Sequence, residues 1–515
     1  MEAIWEKSEE ERAAGLILGW YSKAEVDAMC GCGTWAFMIR FAVWQPSSSS
    51  WRVIDNAKGK QNATVIASER IHTTSADVTF AVLQALRSAF AAPLSGPRQP
   101  HAATRDLKHA YRQLAVHTDH LRYSWVAVWH PKVQAWRFGC LRALAFGETS
   151  AVLQFNRFPA RIVAVLRRWL AIPCTNLYDD FKVLDLALGA TSACVGFDNL
   201  LEALGWRADP AKAQTMGPTC TFLGGGEDYR MAVHDYIQLK PTDQRLAQIN
   251  GLLLNGVRSR SLSTDDAATL HGKLLHLGQQ VTGRVGRAQL AVLSAVYSGA
   301  VEGSDRLVMF CLEFWLRLLR QAPWRIIHLS RRSRRAITLY SDASNEPRPD
   351  SAFPHVRLCF WILDQMSGGS RGAVIDVPDA VLRSFAARQT YIAQGEALAP
   401  LLAVWLCADE FRNADVVAFV DNLGVLSAMC AGRSRIMDLG AILMAWELLL
   451  CSAGASVWLE HVDSRANPTD GGSRVGVSDP LAAALGVELK AVPFPPWPAD
   501  VLNFSPEAWC ELLGV

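Results

Sequence analysis

Two ordered sets of acidic residues stand out along this sequence, and both are suited to holding divalent cations. Asp106, Asp179 and Asp180 form the first; Asp342, Glu396, Asp421 and Asp470 form the second. Phosphoryl transfer to a hydroxyl or to water is served by a pair of metal ions about 4 Å apart, one activating the nucleophile and one neutralising the leaving group. Carboxylate oxygens are the hard ligands that Mg²⁺ prefers. Taken singly, each acid has a plainer use. An Asp-Asp pair favours turns because Asp bonds its own backbone, and Asp470 before Gly471 and Gly472 reads as a turn former as readily as a ligand.

These acids need elements that bring distant stretches together. In the first set, Asp106 follows a short segment in Arg105-Asp106-Leu107-Lys108-His109-Ala110-Tyr111, and Asp179-Asp180 sits at a tight turn between two strand-like runs within 172–184. Strands are also expected over 37–44, 51–55, 124–129 and 135–138, with a loop at Pro46 to Ser50. A helix is predicted over 151–170 from the rhythm of Val152, Phe155, Ile162, Val165, Leu166 and Trp169, with Thr149 or Ser150 as its cap. Pro159 should kink or restart it. Another helix passes through Phe197, Leu200, Leu201 and Leu204 and ends near Gly205.

In the second set, Asp342 ends the strand-like Ile337-Thr338-Leu339-Tyr340 and Glu396 opens a helix that runs to Leu406. Asp421 ends a strand over 416–420, and Asp470 follows a strand over 456–461. Strand ends and helix starts along one sheet edge can gather such residues into one cluster. His461 ends an apolar strand and is read as a structural histidine rather than a catalytic one.

Bulk properties narrow the rest. A chain of 515 residues with 50% hydrophobic content has material for several cores, since single cores stop growing at roughly 250–300 residues. With 51 Lys and Arg against 49 Asp and Glu, the net charge of +2 does not announce a nucleic-acid binder, so local charge must decide. The most basic stretch comprises Arg317, Arg320, Arg325, His328, Arg331, Arg332, Arg334 and Arg335, expected to touch phosphates in a salt-dependent way. The 12 Cys are scattered, and Cys30 and Cys32 lack a second pair for zinc, which suits a reduced intracellular chain. The acidic N-terminus lacks the basic-then-apolar order of a signal peptide, and no apolar run approaches the ~20 residues of a membrane span. The expected location is intracellular, cytoplasmic or nuclear, without secretion or membrane.

The division expected from these patterns is an N-terminal segment over 1–103, an α+β layer over 104–226, a helical stretch over 227–335, an α/β unit over 336–480 and a proline-rich tail over 481–515.

A resemblance joins the pieces. Asp106-Leu-Lys-His-Ala-Tyr-Arg-Gln-Leu114, Phe146-Gly147, Tyr178-Asp179-Asp180, Lys212 and Phe222-Leu223-Gly224 resemble the successive palm motifs of reverse transcriptases. Val462-Asp-Ser464-Arg-Ala-Asn467-Pro-Thr-Asp470 resembles the last-acid phrase of retroelement ribonuclease H domains, and Leu270-His271-Gly272-Lys273-Leu274 resembles their thumb or connection helices. The order, without an aspartic protease motif in front, is most similar to tyrosine-recombinase retrotransposons of the DIRS and Ngaro type, over about residues 35 to 480.

The resemblance implies an α+β multidomain fold: a right-hand polymerase with fingers (1–103), palm (104–226) and thumb or connection (227–335), then an α/β ribonuclease H-like domain. It implies RNA-directed DNA synthesis with hydrolysis of RNA in the hybrid. The partners would be RNA template, DNA primer, RNA–DNA hybrid and deoxynucleoside triphosphates, with an element-encoded recombinase as a further candidate. The cofactor would be Mg²⁺, with Mn²⁺ as alternative, two ions per centre. By the same resemblance, all seven acids are catalytic metal ligands, Tyr111 gates against a ribose 2′-hydroxyl, Gly147 allows close approach of template or incoming base, and Arg52, Lys58 and Lys212 contact the triphosphate. From the residues alone, Tyr111 reads equally as a core aromatic and Arg52 and Lys58 as surface charge. Three departures, Leu177 in place of Tyr, Ala145 in place of Pro, and Pro159, leave room for a copy that binds RNA or hybrid without polymerising, or for a nuclease with an inactive palm.

Overall fold

A computed structural model describes the chain except residues 46–48, 59–61, 64–69, 72–76, 322–323, 331–333 and 498–515. The loop at 46–50 and the arginines 331 and 332 therefore fall largely outside the described residues. The chain divides into two compact units, Met1–Leu223 with Glu227–Ile237, and Gly224–Gly226 with Gln238–Val515. Among the described residues no helix is long and apolar enough to cross a membrane, and every described cysteine is a free thiol.

Two sheets of the described residues lie wholly within the first unit. A five-stranded sheet runs in the order Ile17–Tyr21, Ala135–Leu141, Trp125–His130, Phe37–Gln45, Ser50–Asn56. A three-stranded sheet has Asp180–Leu186 at its centre, antiparallel to both Pro100–Asp106 and Cys174–Leu177. The strand expected over 124–129 thus pairs with those expected over 37–44 and 135–138, and the one expected over 51–55 pairs with 37–44. Helices Thr149–Arg168 and Ala190–Ala203 cover the smaller sheet, burying Phe155, Ile162, Leu166, Phe197 and Leu201 against Phe181 and Val183. The first helix continues through Pro159 without the restart that was one expected outcome. Burial of Phe155, Pro159, Ile162, Val163 and Leu166 along one face offsets the lost backbone bond, because tertiary packing supplies most of a helix's stability.

The second unit corrects the expectation of an all-helical stretch over 227–335. Strand Tyr236–Pro241 precedes helices Asp243–Ser259, Thr264–Leu277, Arg287–Tyr297 and Arg306–Arg320, and strand Arg325–His328 follows them. A six-stranded sheet then has the order Ser456–His461, Asp415–Val420, Ala336–Glu346, His355–Asp364, Ser370–Asp376, Glu488–Ala491. Ala336–Glu346 lies antiparallel to His355–Asp364 and parallel to Asp415–Val420. Helices Ile392–Leu406 and Met437–Ala453 are apolar nearly all round and buried in the same core as this sheet. Arg334, expected to meet phosphate, is instead buried. Its Nε donates to Asp415 at 2.9 Å and its Nη2 to the Ala414 carbonyl at 2.7 Å, which anchors the start of the sheet.

Candidate active sites

In the smaller sheet, Asp106 lies directly opposite Asp180, and Leu177 opposite Asp180 on the other side. Tyr178 and Asp179 are left as a two-residue hairpin turn. Tyr178 takes a left-handed φ of 54°, which Gly or Asn adopts more cheaply. Two bonds hold it there. Asn176 Nδ2 donates to the Tyr178 carbonyl at 3.0 Å, and the Leu107 N–H donates to the Asp179 carbonyl at 3.3 Å, tying the turn to the strand that carries Asp106.

Gathering the acids has an electrostatic cost. Burial, with Asp106 nearby, raises the Asp179 carboxyl above its ordinary value while Lys212 and Arg52 pull it back. Partial desolvation, with Asp179 and Asp106, pushes Asp180 up to about 6. Lys212 Nζ donates to Asp106 Oδ2, so the residue expected at a triphosphate is here a counter-ion to the first acid.

The other nucleotide-contact candidates differ in placement. The Arg52 guanidinium lies over the Phe146 ring, 4.3 Å from its centroid. Tyr111 is buried, with its ring edge-on to Phe146 at 5.5 Å and tilted against Phe155 at 4.6 Å. Burial, Asp179 and Tyr178 push its hydroxyl up to about 12. Gly147 has φ 132°, and a Cβ there would lie 2.2 Å from the Asp55 carbonyl oxygen. The close approach that glycine permits in this structure is therefore to the chain's own backbone. Lys58 is exposed, and its N–H donates to Asn56 Oδ1 at 3.1 Å.

The second set is tighter. Among the described residues, Asp342, Glu396 and Asp421 are the group of three or more His, Cys, Asp or Glu whose ligand atoms all lie within 4.8 Å of one another. Asp106, Asp179 and Asp180 do not meet that condition. Tyr340 pairs with Phe419 across parallel strands, their rings stacked at 4.7 Å, which sets Asp342 beside the strand end at Asp421. Glu396 reaches them because Gly395 lies against Ala343. A Cβ on Gly395 would stand 2.8 Å from that of Ala343, so only glycine lets the helix settle this close.

Asp342 and Glu396 are buried, and Glu396 Oε2 has no hydrogen-bond partner. Burial, together with Asp342 and Asp421, raises Glu396 well above the usual carboxylate range. Burial, Asp421 and Asp470 push Asp342 up to about 7, although the Ser473 hydroxyl donates to its Oδ2 and works the other way. Hard oxygen ligands and a buried carboxylate oxygen lacking a donor are what a divalent cation would satisfy. Asp470 stands further out. It is half-exposed, accepts from Arg474 Nε at 2.9 Å, and acts on Asp342 through its charge.

The phrase around Asp470 has a visible structural use. Buried Asn467 donates through Nδ2 to the Ser341 carbonyl at 3.0 Å, and its Oδ1 accepts from the Thr469 hydroxyl at 2.7 Å. This fastens the segment to the strand bearing Asp342. His461 Nε2 lies 3.2 Å from the Asp421 carbonyl oxygen and is exposed. Ser473, Gly395 and Asn467 shape the site without being legible as site residues beforehand. The Gln394-Gly395-Glu396 phrase was the one signal that could have found the glycine.

No known family profile matches this chain, and no curated protein matches it. Among solved structures, a foamy viral protease-reverse transcriptase in complex with dsDNA is 14% identical, with 90% of this chain and 83% of that chain covered and a TM-score of 0.47. A foamy viral protease-reverse transcriptase dRH in complex with ds DNA is 13% identical, with 89% and 69% covered and a TM-score of 0.45. A likeness this loose transfers no residue roles.

Proposed function

We propose that the chain is an RNA-directed DNA polymerase that also cleaves RNA in RNA–DNA hybrids, with one acid set serving each reaction. The observation that carries this reading is that folding brings acids of each ordered set together: Asp106 opposite Asp180 beside the Asp179 turn, and Asp342, Glu396 and Asp421 within 4.8 Å, with Asp470 further out. Asp106, Asp179 and Asp180 would hold Mg²⁺ or Mn²⁺ for polymerisation, and Asp342, Glu396, Asp421 and Asp470 for hydrolysis. The bound ions would supply activation of the attacking oxygen and neutralisation of charge on the leaving group.

The chain's own residues do the rest. Lys212 balances Asp106, Arg52 brings positive charge towards Asp179, and Ser473 fixes the orientation of Asp342. Tyr111 would wall the nucleotide site, and Arg52 and Lys58 would meet the triphosphate. RNA template, DNA primer, hybrid and deoxynucleotides are the proposed partners. Fingers, palm, thumb and ribonuclease H labels for the five segments belong to the same proposal, as does kinship to tyrosine-recombinase retroelements, which rests on the sequence phrases.

A second reading, a nuclease whose first acid set no longer polymerises, has one observation in its favour. Asp106 is engaged by Lys212, and the first set is looser than the second. Primer extension on a poly(rA) template separates the two. Incorporation that Asp179→Asn abolishes supports the polymerase, and release of RNA fragments without any incorporation supports the nuclease alone.

A further inference from the structure

The sequence before residue 35 lies outside the resemblance, yet its first helix closes a ring of charges that is buried at Arg40 and Asp55 and partly exposed at Glu11, whose side chain is 26% exposed. Arg40 and Asp55 are opposed on paired strands, and Arg40 Nε donates to Asp55 Oδ1 at 2.8 Å. The other Asp55 oxygen accepts from Arg112 Nη2 at 2.7 Å. Arg112 Nε donates to Glu11 Oε1 at 3.0 Å, and Glu11 Oε2 lies 2.5 Å from Arg40 Nη2 as an ion pair in which neither atom makes a hydrogen bond. Each carboxylate thus bridges two guanidiniums, and the four charges cancel. The helix Glu2–Ala13 adds Ser8, whose Oγ accepts from Arg40 Nη1 at 2.9 Å. The Arg40 and Asp55 side chains are 0% and 1% exposed, so neither can exchange its partner for water.

The ring touches the nucleotide-contact candidates at each side. Arg112 follows Tyr111 in the chain, and its Nη1 donates to the Leu144 carbonyl at 2.8 Å, two residues before Phe146. Asp55 donates through its N–H to the Phe146 carbonyl at 3.2 Å, and its own carbonyl fills the space left by Gly147. Phe146 in turn carries Tyr111 against one edge and Arg52 over its face.

We infer that Glu11, on the N-terminal helix, is a positioning residue for nucleotide selection: by completing this ring it fixes Tyr111, Phe146 and Gly147 relative to one another. The inference rests on the polymerase reading above. Neutralising Glu11 removes the carboxylate that bridges Arg40 and Arg112, leaving the two arginines sharing Asp55, with Glu148 as the other carboxyl acting on Arg112, and so loosens the geometry the ring fixes.

The test is Glu11→Gln in the full chain, in single-turnover primer extension with a deoxynucleotide and the matching ribonucleotide, beside cleavage of an RNA–DNA hybrid. Displacement of the Tyr111 wall should raise the deoxynucleotide KM about tenfold and weaken sugar discrimination by a similar factor, since small misplacements at a reacting site are costly. The maximal rate should change less than the KM, hybrid cleavage should be unchanged, and Glu11→Asp should recover part of the discrimination. If the wild type extends primers and Glu11→Gln matches it in KM and discrimination, this inference alone is overturned. Loss of extension and cleavage together, equal in Glu11→Asp and Glu11→Gln, also overturns it, since that marks a residue needed only for folding. A wild type that incorporates nothing sinks the polymerase reading and takes this inference with it.

Discussion

Replacing Asp342 with Asn should remove hybrid cleavage and, in the absence of metal, make the surrounding sheet more stable. The fold holds this carboxyl at about 7 against an ordinary 3.8, chiefly through burial and then through Asp421 and Asp470. Ionising it in the folded chain therefore costs on the order of 4 kcal/mol more than ionising it unfolded. The folded state binds the proton more tightly. The stability linked to this group is complete below about pH 4 and is lost as pH rises through about 7. Asn carries no charge at any pH, and its amide oxygen can still accept from Ser473. The advantage of Asp342→Asn should therefore be about 1 kcal/mol near pH 4.5 and approach 4 kcal/mol at pH 8.

Hydrogen exchange of the Ala336–Glu346 strand in the full chain, corrected for intrinsic rates and read with chelator present, resolves this locally. Adding Mg²⁺ should reverse the order at pH 8, because the wild type gains a bound ion and the variant loses a ligand. A variant less protected than wild type at pH 8 without metal, or a difference independent of pH, would refute the electrostatic reasoning.

Three further outcomes follow from the geometry. Asp179→Asn should abolish nucleotide incorporation and leave hybrid cleavage within about twofold, as paired assays on one preparation would show, because the mutation spares every ligand of the second set. Gly395→Ala places a methyl 2.8 Å from the Ala343 Cβ, so it should cost about 1–3 kcal/mol and lower Mg²⁺ affinity at the second site, measured by calorimetry. Lys182→Met should destabilise the first unit by about 3–5 kcal/mol in denaturant unfolding. Lys182 is wholly buried, donates to Glu227 at 2.8 Å and lies between the rings of Phe80 and Phe222, so its loss strands a buried carboxylate.

Local chemistry was readable along the chain, while long-range closure was not. The Asp179 turn could be placed because two short apolar runs flank it, and the observed strands Cys174–Leu177 and Asp180–Leu186 meet there. Asp421 does follow a strand end, but Asp342 lies within the strand Ala336–Glu346 and Glu396 a turn inside the helix Ile392–Leu406, because cross-strand pairing and packing carry both elements past the point where their local patterns change. The helix does not restart at Pro159 because a local rule about its missing N–H says nothing of the buried face around it. The Glu11, Arg40, Asp55 and Arg112 ring was invisible because its members are separated by up to 101 residues and each looks like a surface charge. Arg334 was misjudged for the same reason: an arginine in a basic run carries no sign in sequence that Asp415 will bury it.

The central claim is that two separated carboxylate sets each bind divalent cations. The most direct measurement is an anomalous difference map from crystals of the full chain grown with Mn²⁺. Peaks are expected between Asp106, Asp179 and Asp180 and between Asp342, Glu396 and Asp421, with Asp179→Asn and Asp342→Asn each removing its own. Absence of a peak at either set, at Mn²⁺ concentrations that saturate the protein, would contradict that claim.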